Sequence, residues 1–65
     1  MKSVRLGNKY FDDREGRYFT VDGTGCDPHV FRCIQEEYGD PGELEITGIV
    51  LMHDSELMNM REVTA

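Results

Sequence analysis

The chain has 65 residues, 38% of them hydrophobic, and a formal net charge of −6, a composition that fits one small folded domain (residues 1–65) and excludes a disordered chain. No apolar run approaches the ~18 residues of a membrane span, and the amino terminus lacks the apolar stretch of a secretory signal, so we expect a cytoplasmic protein with reduced thiols. Residues 33–65 carry eight acidic residues and one basic residue, which disfavours direct nucleic-acid binding because phosphate contacts need clustered cations.

The first part of the chain predicts a β-hairpin. Residues 3–11 carry apolar side chains at a period of two, as a half-buried strand does. Residues 12–16 (DDREG) have the composition of a turn, and residues 17–22 (RYFTVD) are rich in the aromatic and β-branched residues that favour strands. A loop over residues 23–28 is expected to follow the hairpin.

The next stretch, CDPHVFRCIQEEYGDPG, allows two structures. A helix over 28–38 would begin with the favourable pair Asp-Pro and would end at Gly39. A strand over 29–37 suits the sequence better, because five of its first six residues are mediocre helix formers and Gly-Asp-Pro-Gly then makes a hairpin turn. We favour the strand, and an α+β fold with a helix at 28–38 is the alternative.

Residues 44–52 (LEITGIVLM) give the clearest strand signal in the chain. Apolar and polar residues alternate at the start and the run is then apolar throughout, which predicts a strand that is exposed on one face at first and buried on both faces later. Residues 53–57 (HDSEL) predict a short helical turn near 54–58. Residues 60–65 predict a closing edge strand or the end of that helix.

These elements predict a core that is drawn from all parts of the chain. Besides some of the methionines, its expected members are Val4, Leu6, Tyr10, Phe11, Tyr18, Phe19, Val21, Phe31, Ile34, Leu44, Ile46, Ile49 and Leu51.

Cys26, His29 and Cys33 are spaced like metal ligands, and His53 could be a fourth. In the favoured strand, however, His29 and Cys33 would lie roughly 13 Å apart and could not share an ion. An extended chain from Cys26 to Cys33 would also hold the two cysteines too far apart for a disulfide. A catalytic cysteine needs a thiol with a lowered pKa. The acidic residues near these cysteines would raise the pKa of a thiol instead. We therefore expect a protein without metal, cofactor or enzymatic activity.

The acidic stretch EEYGDPGELE is the feature that we interpret as functional. Such a stretch can be an ordinary solvated loop. It can also attract a basic partner, because spaced carboxylates imitate nucleic-acid phosphates and steer association electrostatically. Its predicted partner-binding residues are Glu36, Glu37, Tyr38, Asp40, Glu43 and Glu45.

Two aromatic pairs flank the predicted turn at 12–16 and form a secondary candidate surface: Tyr10, Phe11, Tyr18 and Phe19. Four exposed rings could line a groove for an extended peptide. The favoured alternative is cross-strand packing, with alternate rings in the core and the others half exposed.

The order of these elements resembles an SH3-like small β-barrel, with four main strands, a one-turn helix and a last short strand. The residues NKYFDD stand where signalling SH3 domains have an ALYDY-like segment, and the tryptophan of those domains is absent. The resemblance implies an all-β, five-stranded SH3-like barrel with a short helical turn near 54–58, a scaffold used for binding more than for catalysis. The size and acidity also resemble those of small phage-encoded proteins that bind and inhibit a host factor.

The sequence thus predicts a non-enzymatic binding protein that acts through protein–protein contacts. We expect it to inhibit or modulate a basic, nucleic-acid-binding partner through residues 36–45. The alternatives are a peptide-binding module that uses residues 10–19, and a structural subunit that forms a homo-oligomer through an exposed edge strand.

Overall fold

A computed structural model describes residues 3–63, which form a five-stranded antiparallel sheet and one short helix. In chain order the elements are β1 (Lys9–Asp12), β2 (Arg17–Thr24), β3 (Val30–Tyr38), β4 (Leu44–His53), α1 (Asp54–Met58) and β5 (Arg61–Val63). The mostly β class and the helical turn at 54–58 are therefore confirmed. No helix in this part of the chain is long and apolar enough to span a membrane.

The strands lie in the order β4-β3-β2-β1-β5, so that β5 returns across the molecule to pair with β1. Within residues 3–63, β4 and β5 each pair with one neighbouring strand only. The five antiparallel strands are thus confirmed, whereas closure into a barrel is not. The last two residues of the predicted closing strand at 60–65 lie outside the described residues.

Residues 30–38 form a strand, so the helix considered for residues 28–38 is wrong. β3 pairs with β2 on one side and with β4 on the other, and these two long ladders outweigh the helix-start signal of Asp-Pro. The turn into β4 depends on glycine: Gly42 has a φ of +110°, which side chains disfavour. At Gly39 an added Cβ would lie 2.6 Å from the Glu45 carboxylate.

The strand predicted over residues 3–11 begins only at Lys9. Residues 5–8 form a turn in which the backbone N–H of Asn8 donates to the Arg5 carbonyl at 3.1 Å. Gly7 within this turn has a φ of +92°. A positive φ does not fit a β-ladder, so the chain bends before β1. Leu6 consequently lies in solvent, although it was predicted to be a core residue.

The core lies on one side of the sheet, which we call the inner face, where α1 covers it. Leu57 of α1 is 0% exposed, and it packs there with the other buried residues, Tyr10, Phe19, Val21, Cys33 and Met52. The short helix is the only element among residues 3–63 besides the sheet, so one face of the sheet is left uncovered.

The second half of β4 is not buried on both faces, and that prediction is wrong. Ile46, Ile49 and Leu51 are 67%, 65% and 65% exposed. Their cross-strand partners on β3 are Glu36, Ile34 and Arg32, whereas Val50 and Met52 lie opposite Cys33 and Phe31 on the inner face. The alternation of side chains along β4 therefore continues to its end.

Candidate functional site

The uncovered side of the sheet, which we call the outer face, carries the large exposed side chains. Tyr38, Ile46, Ile49 and Leu51 are each exposed by 63% or more, and the strand register places all four on this face. Large apolar side chains exposed on one face of a sheet are a feature of interaction sites in soluble proteins. The outer face is therefore the first candidate for a binding surface.

The six residues predicted as one acidic surface do not lie together. Glu36 and Tyr38 lie on the outer face, whereas Glu37 and Glu45 are cross-strand partners with the opposite orientation. Neighbours along a strand alternate between faces, so a run of acidic residues that includes a strand is divided between its two sides.

Two of these carboxylates are already paired with cations of the same chain. The Glu36 carboxylate lies 3.8 Å from the Lys9 ammonium, and the Arg17 guanidinium donates to Glu37 at 3.2 Å. A hydrogen bond from the Thr47 hydroxyl and the contact with Arg17 lower the pKa of Glu37. These pairs reduce the charge that Glu36 and Glu37 present to a partner.

Three carboxylates remain at the β3–β4 turn: Asp40, Glu43 and Glu45, which we call the acidic turn. All three are exposed, and none has an ion-pair partner within residues 3–63. The Gly39 amide donates to the Glu43 carbonyl at 2.9 Å and closes the turn. Tyr38 and Ile46 flank it on the outer face, so the acidic turn borders exposed apolar surface.

The four rings of the secondary candidate surface are also divided between the two faces. Tyr10 and Phe19 are buried in the core, and they face each other across β1 and β2. Phe11 and Tyr18 form the neighbouring pair on the outer face, with ring centroids 4.7 Å apart. The rings therefore pack across strands in alternation, and they do not form one groove.

The outer pair instead forms an aromatic cluster with a residue from the acidic stretch. The Tyr18 and Tyr38 ring centroids are 6.0 Å apart in an edge-to-face arrangement. The Arg61 guanidinium lies 5.3 Å from the Phe11 centroid, a cation–π geometry. The hydroxyl of Tyr38 raises the pKa of Tyr18. This cluster supports Tyr38 from one side and leaves its other side exposed.

Cys26, His29, Cys33 and His53 do not assemble into a metal site. Cys26 is exposed in a loop and Cys33 is buried in the core, while the His29 and His53 rings stack with centroids 5.8 Å apart. Among residues 3–63, no group of three or more His, Cys, Asp or Glu side chains is arranged to hold a metal ion.

The two histidines instead hold the start of α1 through Asp54. His29 Nδ1 lies 2.9 Å from Asp54 Oδ2, and this hydrogen bond raises the pKa of His29 and lowers that of Asp54. His53 Nδ1 accepts a hydrogen bond from the Ser55 amide at 3.2 Å and so caps the helix. The cluster has a structural role in joining the β2–β3 loop to the end of β4.

Only one of the two thiols is expected to react in the folded protein. Burial raises the pKa of Cys33 to about 11, so roughly one molecule in a thousand carries that thiolate at about pH 8. A disulfide reagent should therefore titrate one thiol rapidly in buffer and both in urea. The variant Cys26→Ser should show no rapid reaction before unfolding. Rapid reaction of both thiols in buffer would contradict the burial of Cys33.

A shallow cleft lies beside α1, between the helix and the β1–β2 turn. Its volume is about 230 Å³, and it is lined by Asp12, Arg14, Glu56, Asn59 and Met60. Sites for small molecules are typically larger, about 300–1,000 Å³, and mostly apolar. The outer face and the acidic turn are therefore better candidates for function than this cleft.

Sequence reasoning missed the exposure of Ile46, Ile49 and Leu51. One signal in the sequence could have revealed it. The sequence predicts one short helical turn, near 54–58, and a helix of that length can cover one face of a sheet but not both. Comparison with protein-family models, curated proteins and solved structures finds no match for the chain, so its function has to be inferred from its own geometry.

Proposed function

We propose that this protein is a non-enzymatic binding module whose acidic turn contacts a basic surface on a partner protein. The contact surface comprises Asp40 and Glu43 of the acidic turn together with Tyr38 and Ile46 on the outer face, and Glu45 borders it from the inner face. Binding there would block or modulate whatever the basic site of the partner normally binds, nucleic acid included. The protein would work in the cytoplasm.

The observation that carries this proposal is the contrast between paired and unpaired carboxylates at one end of the sheet. Glu36 and Glu37 have cationic neighbours, whereas the acidic turn projects three carboxylates with no such neighbour within residues 3–63. Unpaired charges beside exposed apolar side chains suit an interface in which apolar contacts give affinity and charges give steering.

The fold is compatible with an SH3-like scaffold, and we propose that relationship as well. Two hairpins, a one-turn helix and a short last strand follow one another in the expected order. The last strand, β5, pairs with the first strand, β1. Such scaffolds bind through their surfaces, and fold alone does not decide the ligand.

Charge reversal of the acidic turn tests the proposal. The double variant Glu43→Lys/Glu45→Lys should lose capture of a protein partner from a lysate, and the affinity for that partner should fall about tenfold or more. The matched control is Glu15→Lys/Glu62→Lys, which makes the same change in net charge at exposed residues away from this turn. The control should bind as the unaltered protein does.

Two outcomes would contradict the proposal. Equal loss of binding in both double variants would mean that net charge alone attracts the partner. Unchanged binding in both would mean that the contact surface lies elsewhere. Circular dichroism of each variant should show the same spectrum as the unaltered protein, because all four residues are exposed and a change there is expected to leave the core intact.

A further inference from the structure

One carboxylate joins the β2–β3 loop to the start of α1, at the end of the β3–β4 hairpin opposite the acidic turn. Asp54 lies 2.9 Å from Nδ1 of His29 in that loop and 3.0 Å from Nδ1 of His53 at the end of β4. The backbone N–H of Asp54 also donates to the His29 carbonyl at 2.7 Å. His29 and Asp54 are 25 positions apart, so these contacts hold two distant segments together.

The geometry indicates that His29 supplies the positive charge in this cluster. A carboxylate only accepts hydrogen bonds, so Nδ1 of His29 carries a proton where it meets Asp54. Nδ1 of His53 instead accepts from the Ser55 backbone N–H at 3.2 Å, and a proton there would remove this cap of α1. The two rings are stacked with centroids 5.8 Å apart, where two positive charges would repel each other. The cap and the contact with Asp54 therefore fit together when His29 alone is protonated.

The other groups around the His29 ring favour its protonated form. Asp27 in the same loop accepts from the backbone N–H of His29 at 2.8 Å, while His53 and Asp54 are the titratable groups from β4 and α1. Arg32, the only cation of β3, is already paired with an aspartate of β2. The hydrogen bond with Asp54 and the charge of its carboxylate raise the pKa of His29 above the ordinary value of 6.5.

We propose that His29 and Asp54 form a pH-sensitive clamp: protonated His29 holds the β2–β3 loop on α1, and loss of the proton weakens this hold, so that α1 opens from the core more often. A neutral His29 ring can keep its hydrogen bond to Asp54 but loses the charge that strengthens it. A helix of five residues has no independent stability. A modest loss at this contact is therefore enough to change how often α1 opens.

The clamp should act over a defined range of pH. Because the pKa of His29 is raised in the folded protein, the stabilisation is complete below about pH 6.5 and is lost as pH rises through the raised value. The same hydrogen bond lowers the pKa of Asp54 from its ordinary value of 3.8, so the stabilisation is also lost in stronger acid. The clamp is therefore closed between about pH 4 and pH 6.5 and weakens toward about pH 8.

The reaction of Cys33 with dithiodipyridine measures how often the core opens. Cys33 is buried in the same core as Leu57 of α1, so its reaction depends on opening, and at any one pH the thiol chemistry is the same in every variant. In a Cys26→Ser background, His29→Gln should react about two- to fivefold faster than the parent at about pH 6. At about pH 8.5 the two should react equally, because both then carry a neutral donor at this position.

Asp54→Asn should show the same dependence on pH, because it removes the other half of the clamp. The matched control is Glu56→Gln, which removes an exposed carboxylate from the same helix outside the cluster. Its rate relative to the parent should be the same at both pH values. The proposal would be overturned if His29→Gln changed the rate by one factor at both pH values, or at neither.

An NMR titration tests the contact directly. The chain has two histidines, so the ring signals can be resolved, and His29→Gln identifies those of His29. The titration midpoint of His29 should lie above about pH 6.5 in the unaltered protein and at a lower pH in Asp54→Asn. A midpoint that Asp54→Asn leaves unchanged would also overturn the proposal. The clamp shares no residue with the acidic turn, so it and the proposed binding function can fail separately.

Discussion

Replacement of Leu57 by alanine is expected to lower the free energy of unfolding by about 2–5 kcal/mol, the cost of removing a large apolar side chain from a core. Leu57 is fully buried, and it is the residue by which α1 packs on the inner face. A helix of five residues has no independent stability, so its place on the sheet depends on this contact. A domain of this size has only about 3–10 kcal/mol in total, and a large fraction of the variant should be unfolded.

Urea unfolding followed by circular dichroism measures this loss. Met58→Ala is the matched control, because Met58 is the next residue on the same helix and is exposed. Its expected cost is below about 1 kcal/mol. Equal costs for the two variants would contradict the packing of α1 on the inner face.

The second large effect is expected from the inner aromatic pair. Phe19→Ala should cost about 3–5 kcal/mol, because Phe19 is buried against Tyr10 and the rest of the core. Its neighbour Tyr18 lies on the outer face, where it is half-buried between Phe11 and Tyr38. Tyr18→Ala removes these ring contacts and the contact with the Lys9 ammonium, 5.8 Å from the ring centroid, so its cost should be below about 1.5 kcal/mol.

Chemical denaturation of the two variants under the same conditions gives the comparison. A Tyr18→Ala variant as unstable as Phe19→Ala would show that the outer rings are also part of a core, as they would be if another element covered the outer face. The comparison therefore tests the division of the sheet into a covered face and an uncovered face.

The sequence alone was enough to predict most of the strands and the helical turn. The regions near 17–22, 29–37 and 44–52 were predicted within two residues of the strand ends, because β-branched and aromatic residues cluster there between glycine-rich turns. The turn at 54–58 was predicted from polar residues that can cap a helix. These are local signals, and they act over a few neighbouring residues.

Two features were not predicted from the sequence. They depend on how neighbouring strands align and on which face of the sheet α1 covers. The pairing of Glu37 with Arg17 joins residues that are 20 positions apart, and it forms only because of the way β2 aligns with β3. The exposure of Ile49 and Leu51 depends on which face α1 covers. Neither fact can be read from the pattern of a single strand, and the exposure follows only when the single short helix is weighed against the two faces of the sheet. The acidic surface was therefore predicted to be larger than the acidic turn, and the core was predicted to include the outer face.

The most direct test of the binding function is the affinity for a captured partner, measured by calorimetry at a series of salt concentrations. We predict that the affinity of the unaltered protein falls steadily as salt rises. For Glu43→Lys/Glu45→Lys the affinity should be lower and should depend less on salt, since its attractive charges are gone. An affinity that does not change with salt would contradict an electrostatic contact through the acidic turn and would indicate an apolar interface instead.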